Sequence, residues 1–156
     1  MAVNVKLKKI GSGFIMCEYT ELLNRHKAAN DDFSEKYFYW LPDDDSQVMQ
    51  KMDELGLSLH DLVQVCDGGY VHKDNYNSFL ELQQQIKREH KAYMLNHVYE
   101  VVYYQCWNYG MEENLSYNYH DFIFKLLDFS IEEFTNNADE IERALWDYQM
   151  EFYNDC

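Results

Sequence analysis

From Asp74 to Tyr109 the chain runs for about 35 residues without a glycine or a proline, the two residues that most often stop a helix. Within that run Phe79, Leu82, Ile86 and Tyr93, then Leu95, Tyr99, Val102 and Cys106, recur at helical spacing on faces that drift around the axis. The spacing predicts a helix with Asp74 as its N-cap and Gly110 as its stop. Unbroken, it would extend roughly 50 Å at 1.5 Å per residue, so a kink near Lys91 is expected.

The flanking segments read differently. Residues 3–19 alternate apolar and polar groups around Gly11-Ser12-Gly13, which predicts two strands joined by a tight turn. Tyr19, Leu22, Leu23 and His26 suit a short helix over Glu18–Asn30, and the aromatic run Lys36–Leu41 suits a third strand, stopped by the single proline, Pro42. Asp45 is placed to cap a helix whose apolar face is Val48, Met49, Met52 and Leu55 and whose stop is Gly56. Residues 58–71 fit two patterns, a helix through Leu59, Leu62, Val63 and Cys66 or a hairpin turning at Asp67-Gly68-Gly69.

Beyond Gly110 the pattern is helical in pieces: Tyr119–Asp128, then a capping box of Ser130 and Glu133, then Ala138–Tyr153 with Ile141, Leu145, Tyr148 and Phe152 facing inward. The fold class is therefore α+β, a small N-terminal antiparallel β-sheet followed by a mainly α-helical, acidic, aromatic-rich C-terminal half. Residues 1–91 form the α+β part and 92–156 the acidic helical part, as two lobes or as one compact domain.

The net charge is −15, from 28 acidic and 13 basic residues. It is uneven: residues 1–30 carry five basic and two acidic groups, whereas 92–156 carry thirteen acidic and two basic. Aromatic content of 17% argues for a folded chain despite that charge. Direct binding to nucleic acid is not expected, because duplex affinity comes from Lys and Arg neutralising phosphates. The cysteines Cys17, Cys66, Cys106 and Cys156 are widely spaced and read as reduced thiols. With no export signal and no apolar run near the roughly 20 residues needed to span a bilayer, a cytoplasmic protein without membrane contact is expected.

Catalytic patterns are missing. Asp43-Asp44-Asp45 lacks the spacing of a calcium loop, and the six histidines offer no zinc motif, although His90 and His97 lie two turns apart on one predicted helix. Gly11-Ser12-Gly13 and Gly68-Gly69 read as turns and not as a nucleophile elbow or a phosphate loop. The expectation is a protein that binds rather than catalyses, with no cofactor, no metal and no catalytic residue.

What survives is the acidic, aromatic half. Residues 92–156 hold sixteen of the 26 Phe, Trp and Tyr residues, and tyrosine suits interfaces because it joins area to a polar tip. On the last predicted helix Asp139, Arg143, Asp147, Glu151 and Asp155 form an i, i+4 row. Eleven charges at duplex-DNA spacing occupy about 19 Å, and a 16-residue helix is about 24 Å long, so several such helices reach the charge density of a short duplex. An ordinary solvated helix face has the same composition, and the distinction rests on whether the carboxylates share one continuous surface.

Trp40-Leu41-Pro42 closing a strand, the short helix with Val48, Gly56-Leu57, Asp67, and Tyr76-Asn77-Ser78-Phe79-Leu80-Glu81-Leu82 opening the next helix together resemble antirestriction proteins of the ArdA type. The likeness covers residues 38–82 and needs a small gap between Leu57 and Asp67; residues 92–156 do not align with that family. It implies an acidic, cytoplasmic DNA mimic that inhibits a host nucleic-acid enzyme.

The expected function is thus an inhibitor encoded by a phage or mobile element that blocks the nucleic-acid-binding surface of a restriction or CRISPR effector. Asp121, Asp128, Glu132, Glu133, Asp139, Glu140, Glu142, Asp147 and Glu151 would meet that basic surface, with Tyr117, Tyr119 and Trp146 as anchors. Two alternatives stand beside it: an immunity protein or antitoxin neutralising a basic toxin nuclease, and a structural or assembly protein whose aromatics make a homodimer or larger homo-oligomer.

Overall fold

A computed structural model describes residues 7–10, 13–108 and 127–155. The expected turn at Gly11-Ser12, the stop at Gly110 and nearly all of the Tyr119–Asp128 helix, with Tyr117, Tyr119 and Asp121, lie outside the described residues. The elements confirm a mixed α+β class, dominated by helix.

The chain divides into two compact units, one of Met1–Leu23 with Arg88–Cys156 and one of Asn24–Lys87. The N-terminal residues thus group with the C-terminal ones.

In the first unit β1 (Leu7–Ile10) and β2 (Gly13–Met16) pair antiparallel, Leu7 against Met16, as the alternation predicts. The aromatic strand expected to join them, β3 (Phe38–Trp40), instead pairs with β5 (Gly69–His72), which pairs with β4 (Leu62–Cys66). The larger sheet is thus built from residues 38–72 and is separate from the hairpin. Helix α1 (Cys17–Tyr37) outruns the expected Glu18–Asn30. No glycine or proline interrupts it there, and i, i+4 contacts sustain it: the Lys27–Asp31 ion pair and the Phe33 and Tyr37 rings, 4.7 Å apart.

The second unit's apolar cluster lies on one face of the three-stranded sheet, where Leu41, Met52 and Leu62 are buried and Tyr39, Val48, Leu57 and Tyr70 close around them. Helix α2 (Asp45–Leu55) supplies Met52. Its cap is Asp44 and not Asp45: the Asp44 carboxylate accepts the Ser46 and Gln47 backbone N–H groups at 3.0 and 3.1 Å. The Ser46 hydroxyl, more than those N–H groups, holds that carboxyl below its ordinary range. Gly56, at φ +66°, ends the helix as expected. Met49, expected on the apolar face, is exposed.

The open segment 58–71 resolves into a short 3-10 turn, Leu59–Asp61, with Ser58 and Asp61 as a capping box, followed by the β4–β5 hairpin. Gly68 takes φ +69° in its turn. Gly69 faces Trp40 on one neighbour and Cys66 on the other. A Cβ at Gly69 would stand 2.4 Å from Cys66 Sγ and 3.2 Å from the Trp40 ring. Gly69→Ala is therefore expected to cost about 1–3 kcal/mol in chemical denaturation, and adding Cys66→Ala is expected to restore most of it. Equal destabilisation with and without Cys66 would contradict this packing.

Helix α3 (Lys73–Asn96) is followed by α4 (Val98–Asn108), so the long predicted helix breaks at His97 and not near Lys91. At that point the Asn96 side chain donates to Ala92 O at 2.9 Å, and His97 O accepts from the Val101 N–H at 2.9 Å, opening a new helical ladder. The break lets α4 turn apolar on nearly every side: Val98, Val101, Val102, Tyr103 and Cys106 are buried. It packs against β2 and against α6 (Ala138–Asp155), which contributes Ile141, Ala144, Leu145 and Tyr148. Tyr19, Leu22, Met94, Leu127 and Phe129 complete this core. The short α5 (Ile131–Asn136) begins at the expected Ser130–Glu133 capping box. No described helix is long and apolar enough to cross a membrane.

Candidate functional site

The exposed carboxylates of residues 127–155 lie on α5, on α6 and in the turn before them. Along α6 the core takes Ile141, Ala144, Leu145 and Tyr148, so residues 139, 142, 143, 146 and 150 fall on the opposite stripe. Asp139, Glu142, Arg143, Trp146 and Met150 are exposed there and Glu140 on the flank of the same helix, as are Asp128, Glu132 and Ile131 before it. Trp146 is 62% exposed, Met150 45% and Ile131 78%. Two large apolar side chains thus stand one turn apart on the solvent side of a helix rich in carboxylates. Among residues 127–155 there are nine acidic groups and a single basic one, Arg143.

The expected acid row does not stand free as a whole. Tyr99 and Tyr103 also lie at i, i+4 on α4, and the two rows meet: the Tyr99 hydroxyl donates to Asp147 at 2.6 Å and the Tyr103 hydroxyl to Glu151 at 2.5 Å. The Arg143 guanidinium lies 4.4 Å from the centre of the Tyr99 ring. Glu133 is likewise occupied, accepting from Ser130 N–H and pairing with Lys91 at 3.0 Å. Those contacts, the Ser130 N–H first, hold its carboxyl below the ordinary range. Asp147, Glu151 and Glu133 therefore act first as structural acceptors, whereas Glu132, Asp139, Glu140 and Glu142 carry no ion pair among the described residues. Asp128 is exposed but also sits at φ +50°, where an aspartate is tolerated and a branched side chain is not. That turn lets both Leu127 and Phe129 point inward.

The aromatic side chains among the described residues mostly go inside. Of the described aromatic side chains in 92–156, Trp146 alone is exposed; Tyr103, Phe129 and Tyr148 are buried and the others half-buried. The rings satisfy one another by stacking, as in Tyr99 on Tyr103 and Trp107 edge-on to Tyr148. The pairing of Tyr99 and Tyr103 with the acid row was not read from sequence, although their matching i, i+4 spacing signals it.

Burial suppresses the ionisation of three phenols and the Cys106 thiol in this unit. Tyr93 is pushed up to about 12 and Cys106 to about 12, chiefly by loss of water, and Tyr99 and Tyr103 are raised by burial and by their carboxylate acceptors. These neutral forms stabilise the fold fully below the unfolded values, about 8.5 for Cys and about 10 for Tyr, and that contribution is lost as pH rises through the folded values. Helicity is expected to fall cooperatively with tyrosinate formation as pH climbs from about 10 towards about 12. Full tyrosinate absorbance near pH 10 with circular dichroism unchanged would contradict it.

No group of three metal-ligating side chains comes together among the described residues. No protein-family model, no curated protein and no solved structure matches the chain.

Proposed function

We propose that this protein is an acidic inhibitor, encoded by a phage or mobile element, that acts by occupying the nucleic-acid-binding surface of a basic host defence enzyme, a restriction complex or CRISPR effector, and that it catalyses no reaction. The observation that carries the reading is the outward stripe of α6, where Trp146 and Met150 sit exposed beside Asp139 and Glu142, with Glu140 exposed on the flank. Carboxylates speed encounter with a Lys- and Arg-lined groove, and a desolvated indole slows release. The likeness of residues 38–82 to ArdA-type antirestriction proteins supports the same class of target. The protein would act in the host cytoplasm and leave nucleic acid itself untouched.

The test is displacement of labelled duplex or guide-bound DNA from purified restriction and CRISPR effectors. Inhibition by the full chain, weakened at least about tenfold by Trp146→Ala, is expected. If no effector is displaced while a cognate toxin nuclease is neutralised, the immunity-protein reading takes its place. A second reading, self-association, draws on the exposure of Ile131, Trp146 and Met150; sedimentation equilibrium showing a dimer dispersed by Trp146→Ala would favour it.

A further inference from the structure

The Asn24–Lys87 unit carries a second, unrelated exposed feature. On the sheet face away from its apolar cluster, Phe38 and Trp40 of β3 meet Phe33 of α1 and Phe79 of α3, with ring centres 5.5–6.2 Å apart. None of the four is fully buried, and Trp40 is 58% exposed. They wall a cleft of about 310 Å³ that also reaches Cys66 and is rimmed by Asn30, Asp31 and Gln83. Asp31 is the one charged residue lining it. By contrast, a neighbouring hollow of about 430 Å³ on the other side of Phe33 is lined by both Asp32 and Lys36 and has no preferred sign.

We infer that the Phe33–Phe38–Trp40–Phe79 cleft, with Asp31 at its rim, receives an arginine side chain from a basic protein partner. Aromatic walls offer the negative faces of their π systems, and a planar guanidinium stacks on them while its edge donates to a carboxylate. The wall chemistry disfavours an anion, since no lining residue is cationic, and the unit's own balance of twelve acidic to six basic residues draws a cation in. Asp31 is not withheld: its partner Lys27 sits in an exposed i, i+4 pair, an interaction weak enough to be exchanged. The Asn30 carbonyl already accepts from the Gln83 amide at 2.8 Å, which fixes the polar rim. The arginine's origin in a basic enzyme rests on the function proposed above, but the cleft's preference does not.

Cys66 is exposed and lines the cleft, so its alkylation reports occupancy. The full chain is treated with iodoacetamide beside capped tripeptides Gly-Arg-Gly, Gly-Lys-Gly, Gly-citrulline-Gly and Gly-Phe-Gly, and modification at Cys66 is read by peptide mass mapping. The arginine peptide is expected to bind about fivefold more tightly than the citrulline peptide, judged by the concentration that halves the Cys66 rate. Trp40→Ala should abolish the protection, and Asp31→Asn, which leaves the walls intact, should reduce it. Equal or better protection by any of the other three peptides, or protection by none, overturns the inference. Because the probes are peptides, such a failure would leave DNA displacement by the α6 face standing, and the reverse holds as well.

Discussion

Tyr19→Ala is expected to lower stability by about 3–5 kcal/mol, a fall in Tm on the order of 10 °C, as read by thermal and urea unfolding. Tyr19 is fully buried, and its ring stacks on His90 and Tyr93 at 5.6 and 5.5 Å and meets Tyr104 edge-on at 5.2 Å. Its hydroxyl lies 2.7 Å from His90 Nε2 and accepts from the Gln105 amide at 3.1 Å. Truncation therefore opens a cavity and strips polar atoms of a partner at once. Tyr19→Phe separates the two effects: it keeps the stack, removes the oxygen, and is expected to cost about 1–2 kcal/mol. Should Tyr19→Ala cost no more than Tyr19→Phe, the ring stack is not what joins α1, α3 and α4 in this unit.

The second large effect is on binding. Asp139→Asn, Glu140→Gln and Glu142→Gln together are expected to slow association with the basic target about tenfold or more at low salt while leaving Tm within a few degrees. These three are exposed and unpaired among the described residues. Asp147 and Glu151 make the wrong probe for the same purpose. Removing either takes the acceptor from a buried or half-buried tyrosine, so loss of binding would be mixed with loss of the α4–α6 seam. Unchanged association for the triple variant at low salt would reject the charge-guided mechanism.

Much of the local structure was legible in the sequence because it depends on neighbours along the chain. The β1–β2 hairpin, the stop at Gly56, the Ser130–Glu133 capping box and the inward face of α6 all follow from spacing within a few residues. What failed depended on distant partners. The aromatic run at Phe38–Trp40 signals a strand but not its partner, which is Gly69–His72, and the helix after Asp74 carries no sign of breaking at His97, since no proline or glycine stands there. Residues 58–71 stayed ambiguous because Leu59, Leu62, Val63 and Cys66 satisfy helical spacing whether or not a sheet is waiting.

The candidate site divides the same way. Glu132, Asp139, Glu140, Glu142 and Trp146 are exposed as composition suggested, because a helix with one buried stripe must present the other. Asp147, Glu151 and Glu133 also accept from partners on other helices, and such a hydroxyl or amine partner has no mark in local sequence. Among the described aromatics most are taken inward, where stacking lets a small core hold more rings than volume alone implies. Phe33, Phe38, Trp40 and Phe79 come together only through the sheet and two helices, and their cleft was not anticipated.

The salt dependence of competition is the most direct test of the central claim. The inhibition constant of this protein against DNA on a purified defence enzyme should weaken steeply from low to physiological salt, with a flatter slope for the Asp139→Asn, Glu140→Gln, Glu142→Gln variant. Inhibition that is indifferent to salt, or identical in slope for the two proteins, would show that the α6 carboxylates do not take the place of phosphates.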